Sequence, residues 1–338
     1  MHKPIVVIPN LNGGEVLVNA VRSLKNQTVE PYIMVVDNAS TDNSMDLVKK
    51  QFPDVEVVVN SKNLGYTGGV NPGMQRAIDI GAPYVAPFNN DATADKFWLQ
   101  QLVAFLDAHL EVGAVAPKVL NEDGSKLDST GDYYTVWGLP YPRGRGETDT
   151  AKYDHNTDIF AASGAASLYR VQALQEVGLL DQDFFAYYED VDLSFRLQLA
   201  GWKVAYEPKA VVYHSIGMTS SRMKSFTTYQ TMKNLPLILY KNVPAKYLFP
   251  IGWRFMIAHV LFFLRAISRG QGFAALRGDA KATCLLLAKV GERRHIQKSR
   301  KIGDKQLWGM LVHDLPPNAH ALRKLRTSWA HLTRKVSG

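Results

Sequence analysis

The chain has 338 residues, of which 46% are hydrophobic and 21% charged, so it is long and apolar enough for one large α/β domain with an appended region. Its single cysteine, Cys284, excludes an intramolecular disulfide and a cysteine-rich zinc site, and we expect this thiol to pack in the core of a protein from a reducing compartment. The opening sequence MHKPIVVIPN is a strand-like run without the features of a secretory signal, which predicts a cytoplasmic protein.

The formal net charge of +8 is distributed unevenly along the chain. Up to Tyr240 there are 20 Lys and Arg against 27 Asp and Glu, and after it there are 19 against 4. A basic C-terminal part predicts an anionic partner, either a membrane surface or a nucleic acid. The aromatic residues of this part lie within aliphatic stretches and no recognised DNA- or RNA-binding motif occurs, so we expect a membrane and no nucleic acid.

Four apolar, β-branched runs in the first 90 residues are each followed by turn-forming or polar residues. They read IVVIP, YIMVVD, VEVVV and YVAPF, and helical patterns lie between them. This alternation predicts a β-α-β-α order with parallel strands. Ligand sites of open α/β sheets lie at the carboxyl ends of the strands, so the polar residues after these runs are candidate site residues.

Two of these polar segments are suited to bind a nucleotide. Asp37 ends the second run, where its carboxylate can accept hydrogen bonds from a nucleobase or a ribose, or can instead stabilise the following turn. The segment NLGYTGGVNPG (Asn63 to Gly73) places four glycines in a predicted strand-to-helix connection. Such a loop permits close approach of the backbone to a phosphate or a sugar, although glycine loops are also plain turns.

The segment FNNDA offers a carboxylate, Asp91, beside two amides directly after the fourth run. Hard divalent cations are commonly held by one or two carboxylates, with substrate phosphates completing the shell. His214, at the end of AVVYH, can be a second ligand, or it can be a structural histidine. An imidazole ligand favours Mn²⁺ over Mg²⁺.

Beyond FNNDA, two further segments carry candidate functional residues. Asn121 to Asp158 is polar and predicts a long functional or mobile loop, which contains Tyr133, Trp137 and Tyr141. The cluster YYEDVD predicts the first turn of a helix, where the helix dipole favours ionised carboxylates. One of them can act as a general base, and the alternative is a solvated, well-capped helix start.

From about Phe226 onward the strand and turn pattern ends and the sequence predicts helices only. The stretch from Tyr247 to Leu264 is interrupted by a proline, an arginine and a histidine, so we expect it to lie in a membrane interface and not to span the bilayer. The residues expected to enter the interface are Trp253, Phe255, Phe262 and Phe263, with Arg254, Arg265 and Arg269 meeting anionic headgroups. Packing of this stretch against protein, including a second copy of the chain, is the alternative.

Seven motifs in order, from Ile5 to about Ser221, resemble glycosyltransferase family 2, the inverting GT-A enzymes, and most closely its bacterial rhamnosyltransferase-like members. They are IPNLNG, VVDNASTD, NLGYTGGVNPG, NND, GAASLYR, the block VGLLDQDFFAYYEDVDLSFRLQLAGW and VVYH. The resemblance implies an α/β fold of the GT-A type, a Rossmann-like, mixed but mostly parallel sheet flanked by helices, over residues 1–225. Residues 226–338 would form a helical, membrane-associating region.

The resemblance also implies roles for residues of these motifs. The donor nucleotide-sugar would be bound by Pro9, Asn10, Asn12, Asp37, Asn63, Gly65, Gly69, Asn89 and Asn90. A divalent metal, Mn²⁺ or Mg²⁺, would be bound by Asp91 and His214, although Asn89 replaces the first Asp of the family's metal-binding Asp-x-Asp motif. Asp190 would be the catalytic base, with Glu189 orienting the acceptor.

The implied reaction transfers a hexosyl group with inversion from a nucleotide-diphosphate sugar, best assigned as dTDP-rhamnose, to a hydroxyl of a glycan or a polyprenyl-diphosphate-linked acceptor. The enzyme would act in cell-surface polysaccharide synthesis as a peripheral protein on the inner face of the cell membrane. A UDP-sugar donor is one alternative. A non-catalytic scaffold that binds nucleotide-sugars is another, because of Asn89.

Overall fold

The structure is a computed structural model that describes residues 2–215, 225–317, 319 and 323. The last residues of the region of resemblance and the basic end of the chain lie outside the described residues. The strands are β1 (Ile5–Asn10), β2 (Tyr32–Asp37), β3 (Glu56–Val59), β4 (Tyr84–Pro87), β5 (Ala92–Ala94), β6 (Val112–Asn121), β7 (Leu127–Ser129), β8 (Asp132–Tyr134), β9 (Pro140–Pro142), β10 (Leu168–Arg170) and β11 (Lys203–His214). The helices are α1 (Gly14–Lys25), α2 (Ser44–Gln51), α3 (Gly65–Asp79), α4 (Trp98–Ala108), α5 (Val171–Val177), α6 (Glu189–Leu199), α7 (Phe226–Asn242), α8 (Ala245–Ser268), α9 (Gly272–Ala288), α10 (Val290–Ser299) and α11 (Asp304–Met310).

One mixed sheet organises the first 215 residues, with the strand order β3-β2-β1-β4-β10-β6-β11-β5 and β7 beside β6. β3, β2, β1 and β4 are parallel, which confirms the predicted β-α-β-α order. β10 is antiparallel to both β4 and β6, and β11 is parallel to β6. Because β10 is antiparallel to both of its neighbours, β6 and β11 run in the same direction as β4. β11 therefore ends at the same edge of the sheet as β1, β2 and β4.

Helices cover both faces of this sheet, because alternate residues of a strand point to opposite sides. Val6 and Ile8 of β1 pack in the core that includes residues of α1 and α4, and Val7 packs in the core that includes residues of α3 and α5. The predicted apolar face of α1 is buried, with Leu17 and Leu24 both inaccessible to solvent. The hydrophobic pattern thus places the sheet between two helical layers.

The glycine-rich segment is helical and not the predicted loop. α3 begins at Gly65, whose φ of 73° is the left-handed conformation that glycine tolerates best, and the other glycines lie inside the helix. A Cβ atom on Gly69 would lie 2.6 Å from Cβ of Pro9, and one on Gly73 would lie 2.4 Å from Cβ of Val7. Gly69 and Gly73 therefore let α3 approach β1 closely.

The predicted long loop at 121–158 is instead an ordered arrangement of short strands. β8 pairs with β9, and β7 pairs with β6. Arg143, which is 2% exposed, donates from Nη2 to the backbone oxygen of Thr130 at 2.8 Å and stacks on the ring of Tyr206 at 4.8 Å. A buried guanidinium with these contacts fixes the conformation of the segment.

The helices after β11 pack directly against α6 and its surroundings. One core combines Phe195 of α6 with Ile238 of α7 and Ile251 of α8. Within this region the fully buried Lys241 of α7 forms ion pairs with Asp181 Oδ2 at 2.6 Å and Asp192 Oδ1 at 3.0 Å. The C-terminal helices therefore contribute to the environment of α6 through both apolar and charged contacts.

Among the described residues, α8 is the one helix long and apolar enough to cross a membrane by length and composition alone. One side of α8 is buried by protein, and Phe255, which we expected to enter lipid, is only 3% exposed. The opposite side, here called the apolar face of α8, is exposed and comprises Phe249, Trp253, Met256, Ile257, Val260, Leu264 and Ile267. Cys284, expected in the core, is exposed on α9.

Candidate active site

A cleft of about 380 Å³ lies at the sheet edge where β1, β4 and β11 end. We call it the main cleft, and its lining comprises Pro9, Asn10, Leu11, Asn38, Asn63, Gly65, Tyr66, Asn89, Asn90, Asp91, Asp128, Arg145, Phe185, Ala186, Tyr187, His214 and Phe226. Eight of the predicted site residues are among them, namely Pro9, Asn10, Asn63, Gly65, Asn89, Asn90, Asp91 and His214. The structure thus brings together side chains from four separate segments of the sequence.

Asp91 and His214 meet because β5 pairs with β11, which places Ala92 opposite His214. Asp91 Oδ1 lies 3.1 Å from His214 Nε2, and the Asn89 amide nitrogen lies 3.1 Å from the same ring atom. The other ring nitrogen, Nδ1, lies 2.9 Å from Asp128 Oδ2. A carboxylate behind the imidazole fixes the orientation of the ring, so that Nε2 is directed at Asp91.

This arrangement fits a divalent cation that also binds phosphate. A carboxylate on the far nitrogen is the usual outer-shell partner of a metal-ligating histidine, and Asp128 occupies that position. No group of three or more His, Cys, Asp or Glu side chains within the described ranges is arranged to hold a metal by itself. Asp91 and His214 would therefore need phosphate oxygens to complete a coordination shell, as is common for Mg²⁺ and Mn²⁺.

The protonation of His214 follows from the same contacts. Burial lowers the pKa of the imidazole, but the hydrogen bonds and charges of Asp128 and Asp91 outweigh that effect and raise the pKa to about 9. Burial raises the pKa of the Asp128 carboxyl group, but the hydrogen bond with His214 and the charge of Arg145 outweigh that effect and lower the pKa. Asp128 is thus an ionised carboxylate at neutral pH, which stabilises positive charge on or near the ring.

Three predicted donor-binding residues lie outside the lining of the main cleft and support it. Asp37 is buried and accepts hydrogen bonds from Asn10 Nδ2 at 3.2 Å and from the backbone N–H of Ser40 at 3.0 Å. Asn12 Oδ1 accepts from the backbone N–H of Thr41 at 2.8 Å. Gly69 lies in α3 against β1, as described above. These residues hold the loops that follow β1 and β2, so their predicted ligand contacts are not part of the observed lining.

Asp190 and Glu189 form the first turn of α6 and differ in their environments. Asp190 Oδ2 accepts a hydrogen bond from the backbone N–H of Gly164 at 2.8 Å, and the carbonyl of Gly164 accepts from the hydroxyl of Tyr66, which lines the main cleft. Glu189 is 5% exposed, and its Oε2 has no hydrogen-bond partner among the described residues. Neither carboxylate is part of the lining of the main cleft, and Asp190 is linked to it through Gly164 and Tyr66.

The pKa values of this pair support different roles for the two residues. Burial first, and the charge of Asp190 second, raise the pKa of Glu189 well above its usual range. Burial also raises the pKa of Asp190, but backbone N–H groups, that of Gly164 foremost, oppose this rise. Asp190 consequently ionises more readily than its neighbour, which favours Asp190 as the base.

The loop before α6 has an unusual backbone. Phe185, Tyr187 and Tyr188 have φ values of 63°, 69° and 70°, which side chains other than glycine adopt rarely and at a cost in free energy of about 1–3 kcal/mol each. Such a conformation persists only where surrounding contacts determine it. Two of these residues line the main cleft, so the strained loop forms part of its wall.

Two side chains of α7 provide contacts that determine this loop. The amide nitrogen of Asn234 donates to the backbone carbonyls of Phe184, Ala186 and Tyr187 at 3.0, 2.9 and 2.8 Å. Lys233 Nζ donates to the carbonyls of Asp183 and Phe184 at 2.7 and 3.1 Å, and burial lowers the pKa of this lysine to about 8. The C-terminal helices thus hold the segment that leads to Asp190.

The segment between β6 and β10 supplies functional candidates that the sequence analysis did not identify. Arg145 lines the main cleft and its Nη2 lies 2.9 Å from Asp128 Oδ1. Burial, with the like charge of Asp190, raises the pKa of Asp132 to about 7. In the sequence, these residues belong to the charged segments KLDSTGD and PRGRGE, but neither segment has a periodic pattern that would predict a position beside the cleft.

Comparisons with known proteins agree with this fold. The model of the family described as "Glycosyl transferase family 2" matches residues 5–178, and that of "Glycosyl transferase family group 2" matches residues 147–269. The N-acetylglucosaminyl-diphospho-decaprenol L-rhamnosyltransferase of Mycobacterium tuberculosis is 30% identical over 239 residues, which cover 65% of this chain and 78% of that protein.

Two further proteins are similar to this chain. The O-antigen chain rhamnosyltransferase RfbN of Salmonella typhimurium is 25% identical over 221 residues, which cover 64% of this chain and 68% of that protein. The crystal structure of GalNAc-T7 with UDP, GalNAc and Mn²⁺ superposes with a TM-score of 0.56 at 19% identity and covers 71% of this chain and 48% of that one. This chain therefore belongs to glycosyltransferase family 2, has the GT-A fold and is related to rhamnosyltransferases.

Proposed function

We propose that this glycosyltransferase moves rhamnose from dTDP-rhamnose to a hydroxyl of a polyprenyl-diphosphate-linked sugar, with inversion at the anomeric carbon. The observation that carries the proposal is the convergence of Asp91, His214 and the Asp190 turn on one end of the sheet. The names of the two relatives support rhamnose as the transferred sugar, and the first of them supports a diphospho-polyprenol acceptor. A UDP-sugar donor remains the alternative, favoured by the UDP in GalNAc-T7.

In this proposal the donor diphosphate occupies the main cleft beside Asp91 and His214, which would hold Mn²⁺ or Mg²⁺. When bound, the cation neutralises charge on the leaving diphosphate and so stabilises the transition state more than the ground state. Arg145 adds a second positive charge to the lining. Asp128 keeps the imidazole of His214 oriented towards the cleft.

Asp190 accepts the proton of the acceptor hydroxyl as that oxygen attacks the anomeric carbon. Attack on the face opposite the leaving diphosphate inverts the configuration in one displacement. The backbone N–H of Gly164 donates a hydrogen bond that fixes the Asp190 carboxylate, and the hydroxyl of Tyr66 donates to the carbonyl of Gly164 and so fixes that residue. Glu189, which is buried beside Asp190, orients this turn.

We place the protein on the inner face of the cell membrane, with the apolar face of α8 in the interface. A helix whose other side packs on protein cannot be surrounded by lipid, so its geometry favours lying in the interface over spanning the bilayer. Arginines on this helix and after it, such as Arg265 and Arg269, suit anionic headgroups. A lipid-linked acceptor would then be within reach of the main cleft.

Calorimetric titration of the full chain with dTDP and UDP, with and without Mn²⁺, tests the donor site. We expect Mn²⁺-dependent binding of dTDP that Asp91→Ala weakens at least about tenfold, since a metal ligand is lost. Asp79→Ala, which removes an exposed carboxylate at the end of α3, is the matched control. Preference for UDP would change the donor, and absence of binding by either nucleotide would overturn the donor site.

Transfer is tested with dTDP-rhamnose and an N-acetylglucosaminyl-diphospho-polyprenol as acceptor. We expect a rhamnosylated lipid with the inverted anomeric configuration by NMR, and loss of transfer in Asp190→Asn with donor binding retained. A product of retained configuration would contradict the single displacement. Donor binding without transfer to any hydroxyl acceptor would instead support the scaffold.

A further inference from the structure

A second cleft of about 490 Å³ lies between the start of α7 and the turn that joins α8 to α9. Its walls include the rings of Phe226, Tyr229 and Phe273, and Arg277 supplies its positive charge. The cleft therefore combines an aromatic surface with a guanidinium group, which suits an amphiphilic anion better than a sugar or a metal ion.

Arg277 is positioned by the aromatic rings and not by a carboxylate. Its guanidinium carbon lies 5.8 Å from the ring centre of Tyr229 and 5.9 Å from that of Phe273, within the range of cation–π contacts. No carboxylate forms an ion pair with it in the part of the chain that the structure describes. Asp279, two residues further along α9, is instead paired with His259 at 2.8 Å. The charge of Arg277 is thus available to an anion.

The second cleft adjoins the main cleft through one shared residue. Phe226 lines both, and its ring lies 6.1 Å from that of Phe185 and 5.9 Å from that of Tyr187 in the loop before α6. Tyr229, one turn further along α7, also lies under Lys233 Nζ, which holds the same loop. A molecule in the second cleft would therefore contact the wall of the main cleft.

The second cleft also adjoins the apolar face of α8. Ile267 ends that face one turn before α9, and Phe273 and Leu276 continue the exposed apolar surface onto α9, with 75% and 57% of their area accessible. Lys281, one turn beyond Arg277, is exposed as well. The cleft is thus located between an apolar surface suited to lipid and the main cleft, with positive charge at its rim.

We infer that the second cleft binds the diphosphate and the first isoprene units of the lipid-linked acceptor, with Arg277 as the phosphate ligand. This inference rests on the proposed function and assigns a location to its acceptor. The guanidinium can bind two phosphate oxygens at once, while the rings of Tyr229 and Phe273 pack on the isoprene chain. The attached sugar would then extend past Phe226 towards Asp190, and the remaining chain would follow the apolar face of α8.

Binding of farnesyl diphosphate to the full chain, measured by calorimetry, tests the site without requiring transfer. We expect Arg277→Met to weaken binding about tenfold, the loss typical of one charge-assisted contact, whereas Arg22→Met, which removes an exposed arginine of α1, leaves it unchanged. Inorganic diphosphate and farnesol are the two partial ligands, and each should bind at least about tenfold more weakly than farnesyl diphosphate. Farnesyl diphosphate should not displace dTDP from the main cleft.

Two results would overturn the inference. Equal binding to wild type and Arg277→Met excludes Arg277 as the ligand, and inorganic diphosphate binding as tightly as the farnesyl compound indicates a site for free phosphate compounds. Transfer assays separate this failure from that of the proposed function. If the enzyme is active and Arg277→Met leaves the KM for the lipid-linked acceptor unchanged, the proposed function is supported and the role of the second cleft is contradicted. If farnesyl diphosphate binding depends on Arg277 but the protein transfers no sugar, the second cleft is supported and the proposed function is contradicted.

Discussion

The side-chain amide of Asn234, on a helix after the sheet, donates a hydrogen bond to the backbone carbonyl of Tyr187 at 2.8 Å. Tyr187 has a left-handed backbone and lies three residues before Asp190. Because the same amide also binds the carbonyls of Phe184 and Ala186, one side chain determines the course of the loop. The conformation of the proposed catalytic turn therefore depends on the C-terminal helices.

Asn234→Ala should reduce kcat at least about tenfold, because the loop loses the donors that stabilise its strained residues. We also expect the free energy of unfolding to fall by about 2–4 kcal/mol, as buried carbonyls lose their partners. Transfer kinetics and thermal denaturation measure the two effects. The control is Gln297→Ala, which removes an amide that donates to the Asn242 carbonyl at 2.9 Å and should lower stability alone. Equal kcat values in both variants would contradict the role of Asn234.

The pH dependence of transfer should reveal the charges around Asp190. Asp132 has a pKa raised to about 7 by burial and by Asp190, while the charge of Arg145 lowers the pKa of both carboxyl groups. The charge of Asp190 raises the pKa of Asp132, so Asp132 is still protonated when Asp190 ionises, and Asp132→Asn should leave the acidic limb of kcat/KM nearly unchanged. Arg145→Met removes a positive charge and should move that limb to higher pH.

Profiles of kcat/KM between about pH 5 and 9 compare these two variants, because the free-enzyme base governs that limb. Saturating metal is needed so that cation binding does not contribute. An unchanged limb in Arg145→Met would show that electrostatics near Asp190 do not set the profile. A third variant, Asp79→Asn, changes an exposed charge on α3 and should leave the profile unchanged.

The Mn²⁺ requirement should depend on Asp128, although this residue is not expected to touch the metal. Asp128→Asn keeps the size of the side chain but removes the carboxylate behind His214. Loss of such a partner typically weakens metal affinity about 10–100-fold. Transfer rates measured against Mn²⁺ concentration should therefore give a higher half-saturating concentration with a similar maximal rate. A lower maximal rate at an unchanged half-saturating concentration would assign Asp128 a different role.

The sequence predicted the parallel strands and eight of the seventeen residues that line the main cleft, and much of this depended on local patterns. Asn10, Asn90 and Asp91 each follow an apolar run, and parallel strands bring such ends to one edge. Even His214 was identifiable, since its strand ends in the same way. Local periodicity and the rule for strand ends made Asp91 and His214 candidates, whereas the roles of Asn10 and Asn90 came from the family resemblance.

The remaining site residues depend on contacts between distant segments. Asp128 reaches His214 only because β7 pairs with β6, and Asn234 lies about 50 residues from the loop it binds. The glycines of α3 were misplaced because glycine is typical of loops, and their fit against β1 is visible only once both elements are packed. Phe255 was assigned to lipid because both sides of α8 are apolar, so hydrophobicity alone could not determine which side is buried.

Membrane binding should depend on the apolar face of α8 and on charge. Trp253→Glu with Leu264→Glu places two carboxylates on that face, where the side chains are 46% and 54% exposed, so folding should be retained. We expect the wild type to co-sediment with vesicles containing anionic lipid at low salt, and the double variant to lose at least about tenfold of that affinity. Leu110→Glu is the matched control, because Leu110 is 72% exposed and lies outside the C-terminal helices.

The composition of the vesicles distinguishes the two contributions to this binding. With neutral vesicles, the hydrophobic contribution to binding is still present, but basic residues are no longer attracted to anionic headgroups. Binding should therefore weaken, and its dependence on salt should disappear. If the wild type forms a dimer that the double variant does not, and neither binds anionic vesicles, the apolar face of α8 is an interface between two copies of the chain. The acceptor would then have to reach the second cleft from solution, and the argument for a bilayer-bound substrate would lose its structural basis.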